Sequence, residues 1–161
     1  MPETLNELDA IDTYVYEQLQ AQAGLVALIS TTAGAFKAFA ELAPRDVQKD
    51  AFSAVERVEP PYVVWSLLAG SDVNALGRAR IFTRPIIVCR AVTRDSSLTG
   101  AEAIASYIDA ALHNSPPDEP VVGKQVMGFD RQQLVRVVEV VDGVRWNYVG
   151  GIYRGFVCRA S

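Results

Sequence analysis

The stretch QQLVRVVEVVDGVRWNYVGGIYRGFVC, residues 132–158, contains the strongest fold signal in the chain. Two largely apolar runs, 132–141 and 144–158, flank the dipeptide Asp142–Gly143. Asp-Gly is a preferred two-residue hairpin turn, because both of its residues readily adopt a positive φ. Gly150–Gly151 interrupts the second run, which indicates a bulge or the close approach of another backbone. The sequence therefore predicts an antiparallel hairpin here.

Further strands are predicted upstream of this hairpin. Residues 62–69 are apolar at both odd and even positions, which is typical of a central strand covered on both faces. Residues 78–93 form a long strand-like run, in which Pro85 indicates a bulge or a sheet edge. Residues 70–77 are predicted as the turn between these two strands, and residues 35–42 as a short strand.

Two amphipathic helices are predicted, because apolar residues recur at steps of three and four. The first begins near Thr4 and continues past Leu19, with Gly24 as the plausible residue after its end, and the second spans residues 99–113. Both begin with Thr-x-x-Glu, the capping-box spacing, at Thr4 and Thr99. Residues 43–59 are predicted as a loop excursion with a turn or two of helix. The expected fold class is α+β: a mostly antiparallel sheet of about four to five strands, with two main helices packed against it, in a single domain spanning 1–161.

Composition excludes several classes of protein. Half of the 161 residues are apolar and the net charge is only −4, which is unlike a disordered chain. No apolar run approaches the ~18 residues of a membrane span, so we expect no membrane contact. The first residues have neither a basic nor an apolar segment of the secretory type, so a cytosolic protein is expected. In a reducing compartment, Cys89 and Cys158 are expected as free, buried thiols.

Charge is divided unevenly along the chain. Residues 1–60 carry a net charge of −6, and residues 61–161 carry +2. The acidic first third argues against a simple nucleic-acid-binding module, which would present a basic face. The bases comprise 12 Arg and 3 Lys. Arg is enriched at protein interfaces, although a GC-rich genome would produce the same bias.

Signals for catalysis are weak. His113, the single histidine, is predicted at a helix end, where a cation interacts favourably with the helix dipole. The sequence has no G-x-S-x-G elbow, P-loop or dinucleotide fingerprint, and its carboxylates are scattered. One His and two Cys do not supply a four-ligand zinc site without carboxylates. We therefore expect no enzyme activity, and no catalytic, cofactor-binding or metal-binding residue.

Two groups of residues stand out as candidates for a protein interface. Alternation along 78–84 places three arginines on one face of a strand, with Arg90 and Arg94 further along. Aromatic residues concentrate in the last strand, and Trp, Tyr and Arg are the common hot-spot residue types. The alternatives are a solvated sheet face for the arginines and core packing for the aromatics. The interface candidates are Arg78, Arg80, Arg84, Trp146, Tyr148 and Tyr153.

The order of motifs resembles a known family. A helix and a short strand precede the strand Pro61–Tyr62–Val63–Val64. A long strand then leads directly into an Ala-rich helix at 101–112, and Gly-Gly-Ile-Tyr-Arg occurs late, at 150–154. This pattern, over about 4–42 and 60–158, resembles the tail-terminator (tail-completion) proteins of long-tailed bacteriophages and related tail-like particles. The excursion at 43–59 is longer than the usual loop of that family.

The resemblance implies a structural role in a phage neck. Family members form six-membered rings on the tail tube, which stop its polymerisation and join the tail to the head connector. The implied partners are other copies of the chain, the tail-tube protein and the head-connector or stopper protein, with DNA passing through the lumen without specific binding. The implied location is the virion, after synthesis in the host cytoplasm, with no cofactor. The alternatives are another neck ring (stopper or adaptor), or a small cytosolic α+β ligand-binding or regulatory module.

Overall fold

The computed structural model describes residues 3–31, 34–41, 59–74, 80–118 and 124–159. The predicted excursion at 43–59 lies outside these residues, apart from Glu59. Within these ranges, three helices and five strands follow one another: α1 Glu3–Gln20, α2 Ala23–Ile29, β1 Ala38–Ala40, β2 Tyr62–Asn74, β3 Arg80–Thr93, α3 Thr99–Leu112, β4 Lys124–Val141 and β5 Val144–Arg159.

The five strands form one sheet in the order β1-β2-β3-β5-β4. β1 is parallel to β2, and every other neighbouring pair is antiparallel. α3 packs on β3 and β5, and α1 packs on α3, β4 and β1. The predicted α+β class, with a mostly antiparallel sheet and two main helices, is therefore confirmed.

The predicted hairpin is confirmed as β4 and β5. Asp142 and Gly143 have φ values of 52° and 77°, as the turn requires. The β3–β5 register continues without a shift through Gly150, so no bulge forms there. A Cβ at Gly150 would lie 2.0 Å from the carbonyl oxygen of Cys89, which confirms the alternative, a close approach of two backbones.

Several predicted element boundaries are wrong because strand pairing extends past local turn signals. Residues 70–74, predicted as a turn, continue β2, and Gly70 pairs with Pro85 of β3. β3 is a central strand, and the irregularity near Pro85 is a bulge in β2 at Leu68. β4 begins at Lys124, eight residues before the predicted 132, because its first part pairs with the end of β5.

The predicted capping box of α3 is also wrong. Leu98 is the residue that precedes the helix, and it has helical dihedral angles (φ −85°, ψ −9°). The N–H of Glu102 donates to the carbonyl of Leu98 at 2.8 Å, so Thr99 lies inside the first turn and its hydroxyl does not cap. Thr4 is the second residue of the described range of α1, Glu3–Gln20.

The main core lies between the helices and one face of the sheet. Tyr14 and Leu19 of α1, Ile108 of α3 and Tyr153 of β5 are each at most 1% exposed. Cys89 is a buried thiol of this core, as predicted, whereas Cys158 is only partly buried. No helix within the described ranges has both the length and the apolarity that a membrane crossing needs.

Candidate interaction surfaces

The sheet has two different faces, because side chains alternate along each strand. One face is covered by the helices. The other, which we call the outer face, has a small buried cluster of Tyr62, Val64 and Val92. Trp146 and Tyr148 pack against this cluster and are partly buried. The outer face is therefore a second, smaller apolar layer rather than a plain polar surface.

Arginines cover the aromatic rings of the outer face. Arg94 also forms a salt bridge with Glu59 at 3.2 Å, between exposed side chains. A cation–π contact, in which a guanidinium lies over an aromatic ring, contributes about 0.5–1 kcal/mol at an exposed site. The guanidinium-to-ring-centre distances are 5.5 and 5.7 Å from Arg84 to Phe82 and Phe156, 5.6 Å from Arg90 to Tyr148, and 5.2 Å from Arg94 to Trp146. These arginines thus already have aromatic partners inside the subunit.

The structure separates the sequence-derived interface candidates. Arg84, Trp146 and Tyr148 all lie on the outer face, Arg84 being exposed. Arg78 and the side chain of Arg80 lie outside the described part of the structure. Tyr153 is 1% exposed on the opposite, helix-covered face. It belongs to the core of the subunit, and we do not retain it as a contact residue.

A groove runs between α1 and β1, with a volume of about 470 Å³. Small side chains of β1, Ala38 and Ala40, line it together with Trp65. The indole N–H of Trp65 donates to Asp12 Oδ1 at 2.8 Å. Burial raises the pKa of Asp12 above its usual range, although the Trp65 hydrogen bond acts in the opposite direction. With Glu17, Asp12 gives this apolar groove an acidic rim.

The second half of β4 presents apolar side chains to solvent. β4 is an edge strand, and the register of β3 with β5 ends at Thr93 and Asn147, so the tip of the hairpin projects beyond β3. An exposed edge strand of this kind favours pairing with a strand of another chain. The exposed fractions are 67% for Leu134, 42% for Val137, 44% for Val138, 69% for Val140 and 50% for Val141. We call residues 134–141 the apolar edge.

Ion pairs hold β4 to α3 beside this edge. Arg131 contacts Asp109 at 2.8 Å, and Arg136 pairs with Glu102. The hydroxyl of Tyr153 donates to Asp109 at 3.3 Å, and burial raises the pKa of that hydroxyl. Each polar group therefore has a partner within the cluster, and the arrangement stabilises the packing of helix on strand.

The structure assigns a structural role to His113. Its Nδ1 accepts a hydrogen bond from the backbone N–H of Arg131 at 3.0 Å, directly after α3 ends. The prediction that His113 lies at a helix end is confirmed. Among the described residues, no group of three or more His, Cys, Asp or Glu side chains is placed to hold a metal ion.

Sequence reasoning missed both the α1–β1 groove and the apolar edge. The signal for the edge was present in Val137–Val138–Glu139–Val140–Val141, which is apolar at both parities like a buried strand. The groove had no local signal, because Asp12 and Trp65 are 53 positions apart.

Comparison with known proteins gives a likeness of fold. No protein-family model matches the chain, and no curated protein sequence matches it. A chain in a solved structure described as the virion of a native gene transfer agent (GTA) particle is similar, with a TM-score of 0.61. The two chains are 20% identical, and the match covers 94% of this chain and 96% of the other. The fold of this α+β chain is therefore one that also occurs in a virion component.

Proposed function

We propose that the protein is a structural subunit of a phage-type particle, and specifically a tail terminator that forms a ring on the tail tube. The observation that carries this proposal is the apolar edge. Five large apolar side chains in the second half of one edge strand, β4, are exposed in the isolated subunit. An edge strand with apolar side chains exposed on both of its faces tends to pair with another chain, and subunits of an assembly cover such an edge with a partner.

The likeness of fold supports the same proposal. The similar chain comes from a virion particle, and the likeness extends over nearly the whole of both chains. A head-to-tail ring needs two different surfaces on each subunit. The two edge strands provide them, because β1 borders a groove with an acidic rim, whereas β4 carries exposed apolar side chains and Arg136. The ion pair between Arg131 and Asp109 and the hydrogen bond from Tyr153 to Asp109 hold α3 against the sheet. A structural role therefore accounts for these polar residues.

The proposed ring contains six copies, following the resemblance to tail terminators. Its partners are the tail-tube protein on one side and the head-connector or stopper protein on the other, with DNA passing through the lumen without specific contacts. The mature location is the virion neck, after synthesis in the host cytoplasm. The proposal includes no cofactor.

Native mass spectrometry and negative-stain microscopy test this proposal, with the purified chain measured alone and with tail tubes of the same particle. The expected result is a closed ring of six copies, either free or bound at one end of each tube. A ring that binds the head connector but leaves tube ends bare would instead identify a stopper or adaptor. A protein that stays monomeric or dimeric, with and without tubes, would refute the ring.

A further inference from the structure

Both edge strands of the sheet have residues whose backbone groups point away from the neighbouring strand. Lys37 accepts a hydrogen bond from the N–H of Val63, and Glu41 donates to the carbonyl of Trp65, so these β1 residues face β2. Alternation along a strand directs the backbone groups of the residues between them, such as Ala38 and Ala40, away from β2. Within the described ranges, the only pairing on these sides is two isolated bridges, Ser30 with Phe36 just before β1 and His113 with Phe129 in the first part of β4. Ala38–Ala40 and residues 134–141 pair with no further strand.

The first residues of the apolar edge, 134–136, lie at the same level of the sheet as β1. The register can be followed across all five strands in two rows. In the first row, Ala40 pairs with Trp65, and the row continues through Cys89 and Gly151 to Leu134. In the second row, two positions along, Ala38 connects through Val63, Ala91 and Val149 to Arg136. A copy placed beside another therefore brings Leu134 and Arg136 to β1 of its neighbour without sliding along the strands, while the tip of its hairpin extends past β1.

Strand direction is also compatible with pairing. β1 and β2 are parallel, and the three remaining neighbour pairs are antiparallel, so β4 runs opposite to β1. A copy in the same orientation would thus add its β4 to the neighbour's β1 as an antiparallel pair, which needs no change of fold.

The side chains on the two edges are complementary. Leu134, Arg136 and Val138 share the sheet face that the helices cover, because they pair with the core-facing positions of β5. Joined to β1 of a neighbour, this face of β4 would lie beneath α1, in the α1–β1 groove. The small residues Ala38 and Ala40 leave room there for apolar side chains.

Charge complementarity points to the same partner. The groove rim carries Asp12 and Glu17, and the apolar edge carries Arg136, whose side chain is 58% exposed beside Glu102. A half-buried carboxylate gains from a nearby cation, and opposite charges fix the register of an interface. The occupant with an apolar strand and a cation at the right level is a second copy of this chain.

We propose that the apolar edge of one copy docks in the α1–β1 groove of the next, continuing the sheet from subunit to subunit. The inference rests on the proposed ring function and supplies its contact. Because the two surfaces are different, the contact is heterologous, and each copy has one free surface of each kind until the ring closes.

Two variants, each with one surface disabled, provide the test. Leu134→Asp places a charge on the apolar edge, and Thr13→Arg, an exposed position lining the groove, fills and recharges the groove. The matched controls are Ala110→Asp on α3 and Gln20→Arg on α1, which are both exposed and lie outside the groove and the edge. Native mass spectrometry gives the oligomeric state of each protein and of mixtures, and circular dichroism checks folding.

The expected result is that each variant alone is monomeric, whereas the controls form rings as the wild type does. An equimolar mixture of Leu134→Asp and Thr13→Arg has one intact contact, and should give 1:1 heterodimers and nothing larger. Where the wild type closes only on tail tubes, the variants are compared on tubes, and both should fail to bind as rings. If Leu134→Asp unfolds, Leu134→Gln replaces it.

Rings formed by either variant, or a mixture that stays monomeric, would overturn this contact while leaving the ring function intact. A wild-type chain that forms no ring on or off tail tubes would instead overturn the proposed function itself. The two failures are therefore distinguishable.

Discussion

Gly150→Ala should destabilise the fold strongly, because β3 and β5 approach each other closely at this residue. The added Cβ would lie 2.0 Å from the carbonyl oxygen of Cys89 and 2.8 Å from the Cα of Arg90. Non-bonded carbon atoms normally lie about 3.5–4 Å apart. Both contacted atoms belong to the backbone, so no side-chain rotation relieves the overlap. β5 would have to move away from β3 by more than about 1 Å, which weakens the central ladder of the sheet.

The magnitude follows from the cost of overpacking. Extra methyl groups in packed regions cost about 1–3 kcal/mol, and more where the backbone moves. We therefore expect a loss of about 3 kcal/mol or more in the free energy of unfolding. In a chain of this size, that loss lowers Tm by roughly 6–12 °C.

Gly143→Ala is the matched control. Gly143 also has a special backbone role, with φ at 77°, but nothing lies within 4 Å of an added Cβ. The Gly143→Ala substitution should lower the free energy of unfolding only by the cost of holding an alanine in the left-handed conformation, about 1–2 kcal/mol. Thermal and urea unfolding, followed by circular dichroism, measure both variants. A Gly150→Ala protein within about 1 kcal/mol of wild type, or more stable than Gly143→Ala, would refute the reasoning.

Three further predictions concern groups whose surroundings the structure defines. Because burial raises the pKa of Asp12, the folded state retains its proton to higher pH than the unfolded state, so this carboxyl lowers stability as pH rises from about 4. Asp12→Asn should therefore flatten the dependence of Tm on pH and raise Tm at pH 7, with the exposed Asp9→Asn as control; an unchanged profile would contradict this. Tyr153→Phe removes a partly buried hydrogen bond to α3 and should lower the free energy of unfolding in urea by about 0.5–1.5 kcal/mol, and no loss would show that the hydroxyl contributes nothing. A colorimetric thiol reagent should titrate only Cys158 in the native protein and both thiols after denaturation, because Cys89 is buried and its pKa is raised; two promptly reacting thiols would contradict the packing of β3.

The parts of the fold that the sequence predicted correctly depend on local chemistry. Asp142–Gly143 specifies its turn by two adjacent positive φ values, and α3 follows from an apolar stripe within fourteen residues. The errors arose where distant partners overrode local signals. Gly70 reads as a turn residue, yet Pro85 and its neighbours in β3 hold it in a strand.

The candidate site was predictable only in part, for a related reason. The alternation of β3 placed Arg84 correctly on one face, because the period of a strand is a local property. The sequence did not show whether the side chain of Tyr153 points into the core or to the surface, because the nearby Gly-Gly and Arg are compatible with either face of the sheet. The apolar character of Val137–Val141 was evident, but a sequence does not say which part of a strand a helix covers, and these valines remain exposed.

The two tryptophans lie on opposite faces of the sheet. Trp65 lines the α1–β1 groove and donates to Asp12, whereas Trp146 lies beneath the guanidinium of Arg94 on the outer face. Indole emission responds to nearby charge and solvent, so each ring reports on its own face. Trp146→Phe would leave Trp65 as the only tryptophan, an intrinsic optical probe placed where a neighbouring copy is proposed to dock. Its spectral change during dilution would follow subunit association in real time, without any attached label.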